Sequence, residues 1–479
     1  MDKFTSRAIT VCLLLMAFAA PLSIAGTQVA WAFGLLFWIV RAFVVRPRLK
    51  VEKLDLAMFA FVGLSLVSSI FSYEPKVSLG KMMSVSLVTI AYLIATNLKD
   101  RKTQHRMLVL LLAGCFIACT WTFAKLAVGQ NLKVTKLTAD SPLRLAGVEE
   151  NDTIQHANGR SVTTPDDLLS AIKEASPNGI AEVQVYRHEF INIYKVQAAG
   201  VGSQPDLGIF EFSRGHDTRA SGFYGHYVTF AEALQLLASL ALALLIVVPG
   251  GLLTRHRILL GVVLAAAGVA LFLSVTRASW ASFALSAAII TLIAASRRTV
   301  LLCALVAVPM IIGGLLFLQQ KRQVAFFDST DESTTWRTRV WKEAVGVLVF
   351  NPRHLAVGIG MDSLKTHWPD WGMFDNGRQP IGHLHSDYLQ LAFERGVPTL
   401  IAWLAWMIFY LTLLFQNIRN PGLDWPARGL LIGAFAGTIG FLTSGLVHYN
   451  WGDSEDVMIL FLIMGMSLAV IRNRDLHAE

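Results

Sequence analysis

Charge is scarce in this chain. Of 479 residues, 15% are charged and 54% are hydrophobic, whereas a soluble chain carries about 25% charged residues. That deficit excludes disorder, a long coiled coil and a nucleic-acid-binding fold as the main architecture. Length alone would suggest about three soluble domains, and composition overrules it. Cysteine is scarce too. Cys12, Cys115, Cys119 and Cys303 all lie inside apolar runs, which excludes a disulfide framework and a zinc site. The segment 319–397 holds no Asp-x-Asp pair and no carboxylate cluster with metal-ligand spacing; Asp328, Asp331 and Glu332 read as a solvated turn. The first apolar run is followed at once by a second, so it reads as a span and not as a cleaved signal.

Long apolar runs are abundant. A spanning helix needs about 20 mainly apolar residues. Twelve runs qualify, at roughly 8–25, 28–45, 55–71, 79–97, 106–127, 226–250, 257–275, 278–295, 299–318, 398–416, 428–447 and 455–472. The fold class expected is an all-α polytopic membrane protein with a small α/β insert. The formal net charge of +8 is concentrated in loops. Arg46, Arg48, Lys50 and Lys53 follow the second run, and Lys99, Arg101, Lys102 and Arg106 the fourth. Arg255 and Arg257 follow the sixth, Arg297 and Arg298 the eighth, Arg419 and Arg428 the tenth, Arg472 and Arg474 the twelfth. Every even-numbered run thus ends in a basic loop, and the positive-inside rule places both termini in the cytoplasm. The long polar segments 128–225 and 319–397 then share the opposite face, the periplasm in a bacterium. Long loops between helices usually carry function.

Residues 132–199 have a different texture. Alternating runs are separated by Asn158-Gly159, a tight-turn signal. Thr164 is placed to cap a helix over Asp166 to Lys173, with Asp167 at the capping-box position. A last alternating run, Ala181 to Tyr186, pairs with Ile191 to Val196. The segment ADSPLRLAGVEENDTIQHANGRSVTTPDDLLSAI resembles a bacterial PDZ domain: Ser-Pro, Ala-Gly, Asp-Thr-Ile, Asn-Gly and a following helix stand in the family's order. The resemblance implies a peptide ligand taken up by strand addition, with a spacer or packing role as the alternative. The family's carboxylate-binding loop would precede Val134, where only Gly129-Gln130-Asn131-Leu132 stands.

The remaining polar signals are cationic. Arg219 lies in DTRASGFYGHYVTF, Arg277 in SVTRASWASF, Arg337 and Arg339 in TTWRTRVW, and His383 and His385 in GHLHSDYLQLAFERG. The expected topology puts all of them at one membrane face. Arginine offers a planar fork that matches phosphate oxygens, and a charge between two apolar runs, as at Arg277, is costly and usually functional. Arginines that only snorkel to the interface are the alternative. His385 precedes Ser386-Asp387, a helix start, where a histidine can accept a proton near neutral pH.

HSDYLQLAFERGVPTL is similar to the signature of the O-antigen ligase and polymerase superfamily, His-Asn-x-x-Leu then Glu-x-Gly. His385, Leu389, Glu394 and Gly396 match it, and Ser386 stands where Asn is common. Arg337, Trp341, Pro352, Gly358 and Gly360 fill an Arg-x-x-x-Trp, Pro, Gly-x-Gly series, and Arg277 matches the arginine of the family's Ser-Arg-Gly segment. The RASGFYGHYVTFAEAL segment matches a further family segment more loosely. The resemblance covers about residues 205–470 and divides the chain into helices at 1–127, a PDZ-like domain at 132–199 and a ligase-related part at 205–479. It implies a C-type glycosyltransferase fold and transfer of glycan from undecaprenyl diphosphate in the bacterial inner membrane, with inversion and without a metal or cofactor. His385 would be the general base. Arg277 and Arg337 would hold the diphosphate, with Arg219 and Arg339 as weaker candidates. Glu394 would cap structure or orient His385. Trp451 and Asp453, in an outer loop, suit either an acceptor sugar or an aromatic belt. The readings left open are O-antigen ligation to lipid A-core, polymerisation of the lipid-linked chain, glycan transfer to protein hydroxyls, transport of lipid-linked glycan, and a non-enzymatic scaffold. Transporters often carry a helix repeat, and none is visible here.

Overall fold

A computed structural model describes residues 2–45, 51–174, 179–187, 190–198, 200–216, 219–249, 254–296, 313, 316 and 332–472. The N-terminal helices are α1 (Asp2–Ala19), α2 (Ile24–Val45), α3 (Lys53–Ile70), α4 (Pro75–Ser86), α5 (Thr89–Asn97) and α6 (Arg101–Val128). After the sheet domain come α9 (Tyr227–Val247), α10 (Thr254–Leu273) and α11 (Arg277–Ala294). The C-terminal part holds α12 (Glu332–Val349), α13 (Pro352–Val357), α14 (Asp387–Arg395), α15 (Val397–Asn417), α16 (Trp425–Ser444) and α17 (Ser454–Arg472).

Ten helices among the described residues are long and apolar enough to cross a membrane, counting α4 and α5 as one. The chain is therefore a multi-pass membrane protein. The first expected span is α1, which is not among the ten. The expected span at 299–318 lies outside the described residues apart from Gly313 and Leu316. The fourth expected span breaks at Ser86–Val88. Leu87 and Val88 donate to carbonyls three residues back, and Ser86 Oγ takes up the Met83 carbonyl at 2.6 Å. A serine that competes for the backbone in this way loosens a helix.

α9 and α17 are buried along nearly their whole length, as expected of helices apolar on every side. α9 lies against α16 because Gly429, Gly433 and Gly437 recur every four residues on the facing stripe. A Cβ on Gly433 would stand 2.9 Å from Leu240 Cα, and one on Gly429 3.0 Å from Leu244 Cα. Small residues at this spacing let two backbones approach in lipid, where close packing replaces the hydrophobic drive. Far from the sheet domain, buried Asp55 of α3 accepts from Arg472 of α17 at 2.9 Å and from Tyr92 of α5 at 2.8 Å.

The sheet domain interrupts the bundle between α6 and α9. Its strands are β1 (Gln130–Leu137), β2 (Thr153–Ala157), β3 (Arg160–Ser161), β4 (Ile180–Arg187), β5 (Phe190–Gln197) and β6 (Ile209–Gly215), in the order β5-β4-β2-β1-β6, with β3 on β2. Two short helices, α7 (Pro142–Leu145) and α8 (Pro165–Lys173), accompany the sheet. Leu132, Val134, Ile154, Leu168, Ile172, Val183 and Val185 form a core separate from that of the bundle. Asn158 and Gly159, both at positive φ, make the β2–β3 turn. Thr164 caps α8 as its sequence suggests: its hydroxyl accepts from Asp167 N and Asp167 accepts in return from Thr164 N. Such a cap contributes about 1 kcal/mol. The sheet takes in one strand beyond residue 199. β6, inside the range read as membrane part, pairs antiparallel with β1 and forms an open edge, with Phe210 and Phe212 exposed.

Candidate functional site

The candidate residues gather at the end of the bundle that carries the sheet domain. α14 starts there. Ser386 caps it, its hydroxyl accepting from Leu389 N at 3.5 Å. His385, just before the cap, holds a positive φ of 48°, uncommon for any residue but glycine. The turn is fixed from two sides. Trp341 of α12 donates its indole N–H to Leu384 O at 2.7 Å, and Asp387 N donates to Gly445 O at 2.8 Å. Trp336 meets the His385 ring edge-on at 5.1 Å, and the His383 ring lies 4.1 Å from that of His385. The neighbour of Trp336 on α12 is Arg337, half-buried.

A second wall comes from the entry to α9. His226 caps that helix, its Nδ1 accepting from Thr229 N at 3.4 Å. The Arg219 guanidinium lies over the Tyr227 ring at 4.2 Å, a cation–π contact. Ala220 N donates to Leu273 O at 3.0 Å, which ties the Arg219 segment to the α10–α11 junction, where Arg277 starts α11. Val275 in that junction has φ 53°. A β-branched residue in the left-handed region is a genuine outlier and costs about 1–3 kcal/mol. The junction is held in place by Trp280 Nε1, which donates to Leu271 O at 2.7 Å.

His226 and His383 are open to solvent, and His385 and Arg337 are half-open. The recess is electropositive. Crowding by protein thins the hydration of His385 and drives its pKa down to about 2, helped by His383, Arg337, His448 and His226. His383 is held at about 4 by the same crowding, then by His226, His448, Lys365 and Arg337. His226 is lowered by crowding, His448 and Arg219. The imidazoles are thus neutral near pH 7, and the arginines supply the fixed charge.

The sequence-selected residues fare differently. Arg337, His383 and His385 come together, with Arg219 and Arg277 on linked segments opposite. Arg339 is exposed and ion-paired with Asp375 at 3.0 Å. Glu394 sits at the far end of α14. There it accepts from Asp362 N at 2.9 Å and Tyr449 Oη at 3.4 Å, and the Tyr449 ring stands 5.5 Å from that of His383. Trp451 is buried, with edge-on ring contacts to Phe61, Trp403, Trp406 and Phe461. Asp453 accepts from Thr229 Oγ1 at 2.8 Å, and burial raises it to about 6. Among the described residues no group of three His, Cys, Asp or Glu is placed to hold a metal ion.

Sequence reading missed the residues beneath the recess. Glu232, in the second turn of α9, is fully buried. It accepts from Ser279 at 2.8 Å, from Ser444, and from Asn450 Nδ2 at 3.4 Å, and its Oε1 lies 2.7 Å from His448 Nδ1. Asp387 is also fully buried. Its Oδ1 accepts from Trp451 N at 2.9 Å, and among the described residues its Oδ2 has no hydrogen-bond partner. Burial pushes its pKa well above the usual aspartate range, against the Trp451 N–H and reinforced by Glu232 and Asp453. One signal was available for Glu232: a lone carboxylate in a spanning run is functional until shown otherwise.

No curated protein matches the chain. The family model described as O-Antigen ligase matches residues 260–404. That stretch carries Arg277, Arg337, Arg339, His383 and His385, and leaves Arg219, Glu232, His448 and Asp453 outside it. The match supports a glycosyl-transfer role of the ligase or polymerase type, and over residues 260–404 the chain is similar to the O-antigen ligase family.

Proposed function

We propose that the protein is a glycosyltransferase of the bacterial inner membrane. It moves a glycan from undecaprenyl diphosphate to lipid A-core, by inversion and without a metal. The observation that carries this reading is the clustering of Arg337 with the neutral His383–His385 pair, together with the tie of the Arg219 segment to the α10–α11 junction that carries Arg277. The planar fork of an arginine suits the oxygens of a diphosphate. Arg277 and Arg337 bind it and stabilise the charge that develops on the leaving group, and Arg219 assists. Arg339 drops to a marginal role, since Asp375 already pairs with it. His385, neutral, takes the proton from the acceptor hydroxyl as that oxygen attacks the anomeric carbon. The bond from that carbon to the diphosphate oxygen breaks, and the carrier leaves as undecaprenyl diphosphate. The basic loops at the opposite end of the bundle support a cytoplasmic placement of both termini and a periplasmic recess.

The sheet domain supports a second reading for the acceptor. It resembles a PDZ domain, and its β6 edge is open to strand addition by an extended peptide. A protein hydroxyl acceptor, or a partner docked there, fits that edge. Polymerisation uses the same donor and the same recess.

The test is complementation of a deletion strain with wild type, His385→Ala or Arg277→Ala, with membrane insertion checked for each. Loss of a general base costs about 10²–10⁴ in rate, enough to abolish surface polysaccharide on a gel. Accumulated long-chain precursor supports ligation, and single repeat units indicate polymerisation. Wild-type behaviour of both variants removes the transferase reading.

A further inference from the structure

Glu232 stands where the two halves of the proposed site meet, and nothing in the family match includes it. Its carboxylate is fully buried inside a membrane-spanning helix. An ionised group there persists only when paired and hydrogen-bonded. Its partners come from two directions. Ser279 lies in the first turn of α11, two residues after Arg277, and donates to Oε1 at 2.8 Å. Ser444, His448 and Asn450 belong to the segment that leaves α16.

That segment in turn positions the helix of His385. Gly445 O receives Asp387 N at 2.8 Å, and Trp451 N donates to Asp387 Oδ1 at 2.9 Å. Leu442 O receives Tyr388 Oη at 2.9 Å, and the ring of Tyr449 stands 5.5 Å from that of His383. One carboxylate therefore links the Arg277 arm to the His385 arm. One turn deeper on α9, Gln235 also joins these helices. Its amide nitrogen, Nε2, reaches Ser286 Oγ of α11 at 2.9 Å and Gly437 O of α16 at 3.3 Å. Gln235 lies a turn farther from the recess and carries no charge.

We propose that Glu232 is the positioning residue of the transfer reaction: through Ser279 it sets the diphosphate-binding arginine arm, and through Ser444, His448 and Asn450 it sets the loop on which the His385 helix rests. This rests on the transferase reading above. The carboxylate touches neither substrate. Its negative charge fixes the His448 ring and orients the serine hydroxyls, and a neutral isostere keeps the volume while it loses both effects.

The experiment uses the full-length protein in nanodiscs, an undecaprenyl-diphosphate-linked glycan as donor and the lipid acceptor. Glu232→Gln should lower kcat by about tenfold or more at an unchanged unfolding midpoint. Ser279→Ala should raise the donor KM with kcat near wild type, and His448→Ala should lower kcat with the donor KM near wild type. Gln235→Ala, which loosens the same helices, should stay within about twofold of wild type. The proposal is overturned if Glu232→Gln transfers like wild type. It is equally overturned if Gln235→Ala loses as much activity, which would make the effect one of helix packing. If Glu232→Gln does not fold, the KM-against-kcat split between Ser279→Ala and His448→Ala decides, because both keep the carboxylate. Failure of the underlying reading looks different: His385→Ala and Arg277→Ala would then transfer normally, whatever Glu232 does.

Discussion

At the scale of single residues, the His385 imidazole raises a question of sign. Every charged neighbour that shifts its pKa is cationic or becomes so on protonation, and together with crowding they hold it near 2. In the free protein it is a weak base. A bound diphosphate diester brings about two negative charges beside it, and an opposite charge within about 4–6 Å favours the protonated form by about 1–3 pKa units. Donor binding thus turns a weak base into a competent one. Deprotonated imidazole is the active form, so activity falls as pH drops through the pKa. The acid limb of kcat/KM reports the free protein and should lie well below the ordinary histidine value. The limb of kcat reports the complex and should lie higher by about 1–3 units. Rate profiles check this: kcat/KM should stay level down to about pH 4, while kcat begins to fall on the acid side; coincident limbs would remove His385 as the base. His385 was legible in the sequence because it precedes a capped helix. The low pKa was not legible, because its causes come from residues as distant as Arg337 and His448.

At the scale of elements, the start of α14 is docked on a glycine. Gly445 has ordinary helical backbone, so its importance is one of space. A Cβ there would run into Asp387 Oδ2 and stand 3.3 Å from Asn450 Oδ1. Both oxygens are buried, and among the described residues neither has a hydrogen-bond partner. Overpacking of this kind costs about 1–3 kcal/mol, and here it would push the His385 turn away from the arginines. Gly445→Ala should therefore cut turnover by about tenfold or more, whereas Gly63→Ala, with nothing within 4 Å of the new Cβ, should leave it unchanged. Initial rates of the purified variants decide, and equal rates would show that α14 is not positioned by this contact. The helices themselves were readable from apolar length. The break between α4 and α5 was not, because a serine bonded to its own backbone leaves no trace in hydropathy. The β6 strand escaped for a similar reason: IFEFSRG shows no distinctive alternation, and its place beside β1 depends on a pairing across more than seventy residues of chain.

At the scale of the whole molecule, the sheet domain keeps a core of its own beside those of the helical part. Its separateness was legible as a change of texture at 132–199, since an alternating polar stretch cannot be a span. Its join was not, because it is made by strand pairing. Gln130 pairs with Gly215 at the mouth of the insert, and His216 Nδ1 lies 3.0 Å from Leu126 O in the last turn of α6. The domain therefore leaves and re-enters the bundle at nearly one point. Domains whose ends meet can be removed with little strain on the host, and a short Gly/Ser bridge spans such a gap at small entropic cost. Replacing residues 131–214 with such a bridge should give a protein that inserts and unfolds at the wild-type midpoint. The recess is built from α9, α11, α12, α14 and the α16–α17 loop, so the excised protein should still transfer glycan to a freely diffusing lipid acceptor in detergent. If the sheet domain docks a partner through its β6 edge, the loss will be confined to cells, where acceptor or partner must be brought to the recess. Loss of transfer in the purified, folded, excised protein would instead make the sheet domain part of the site itself.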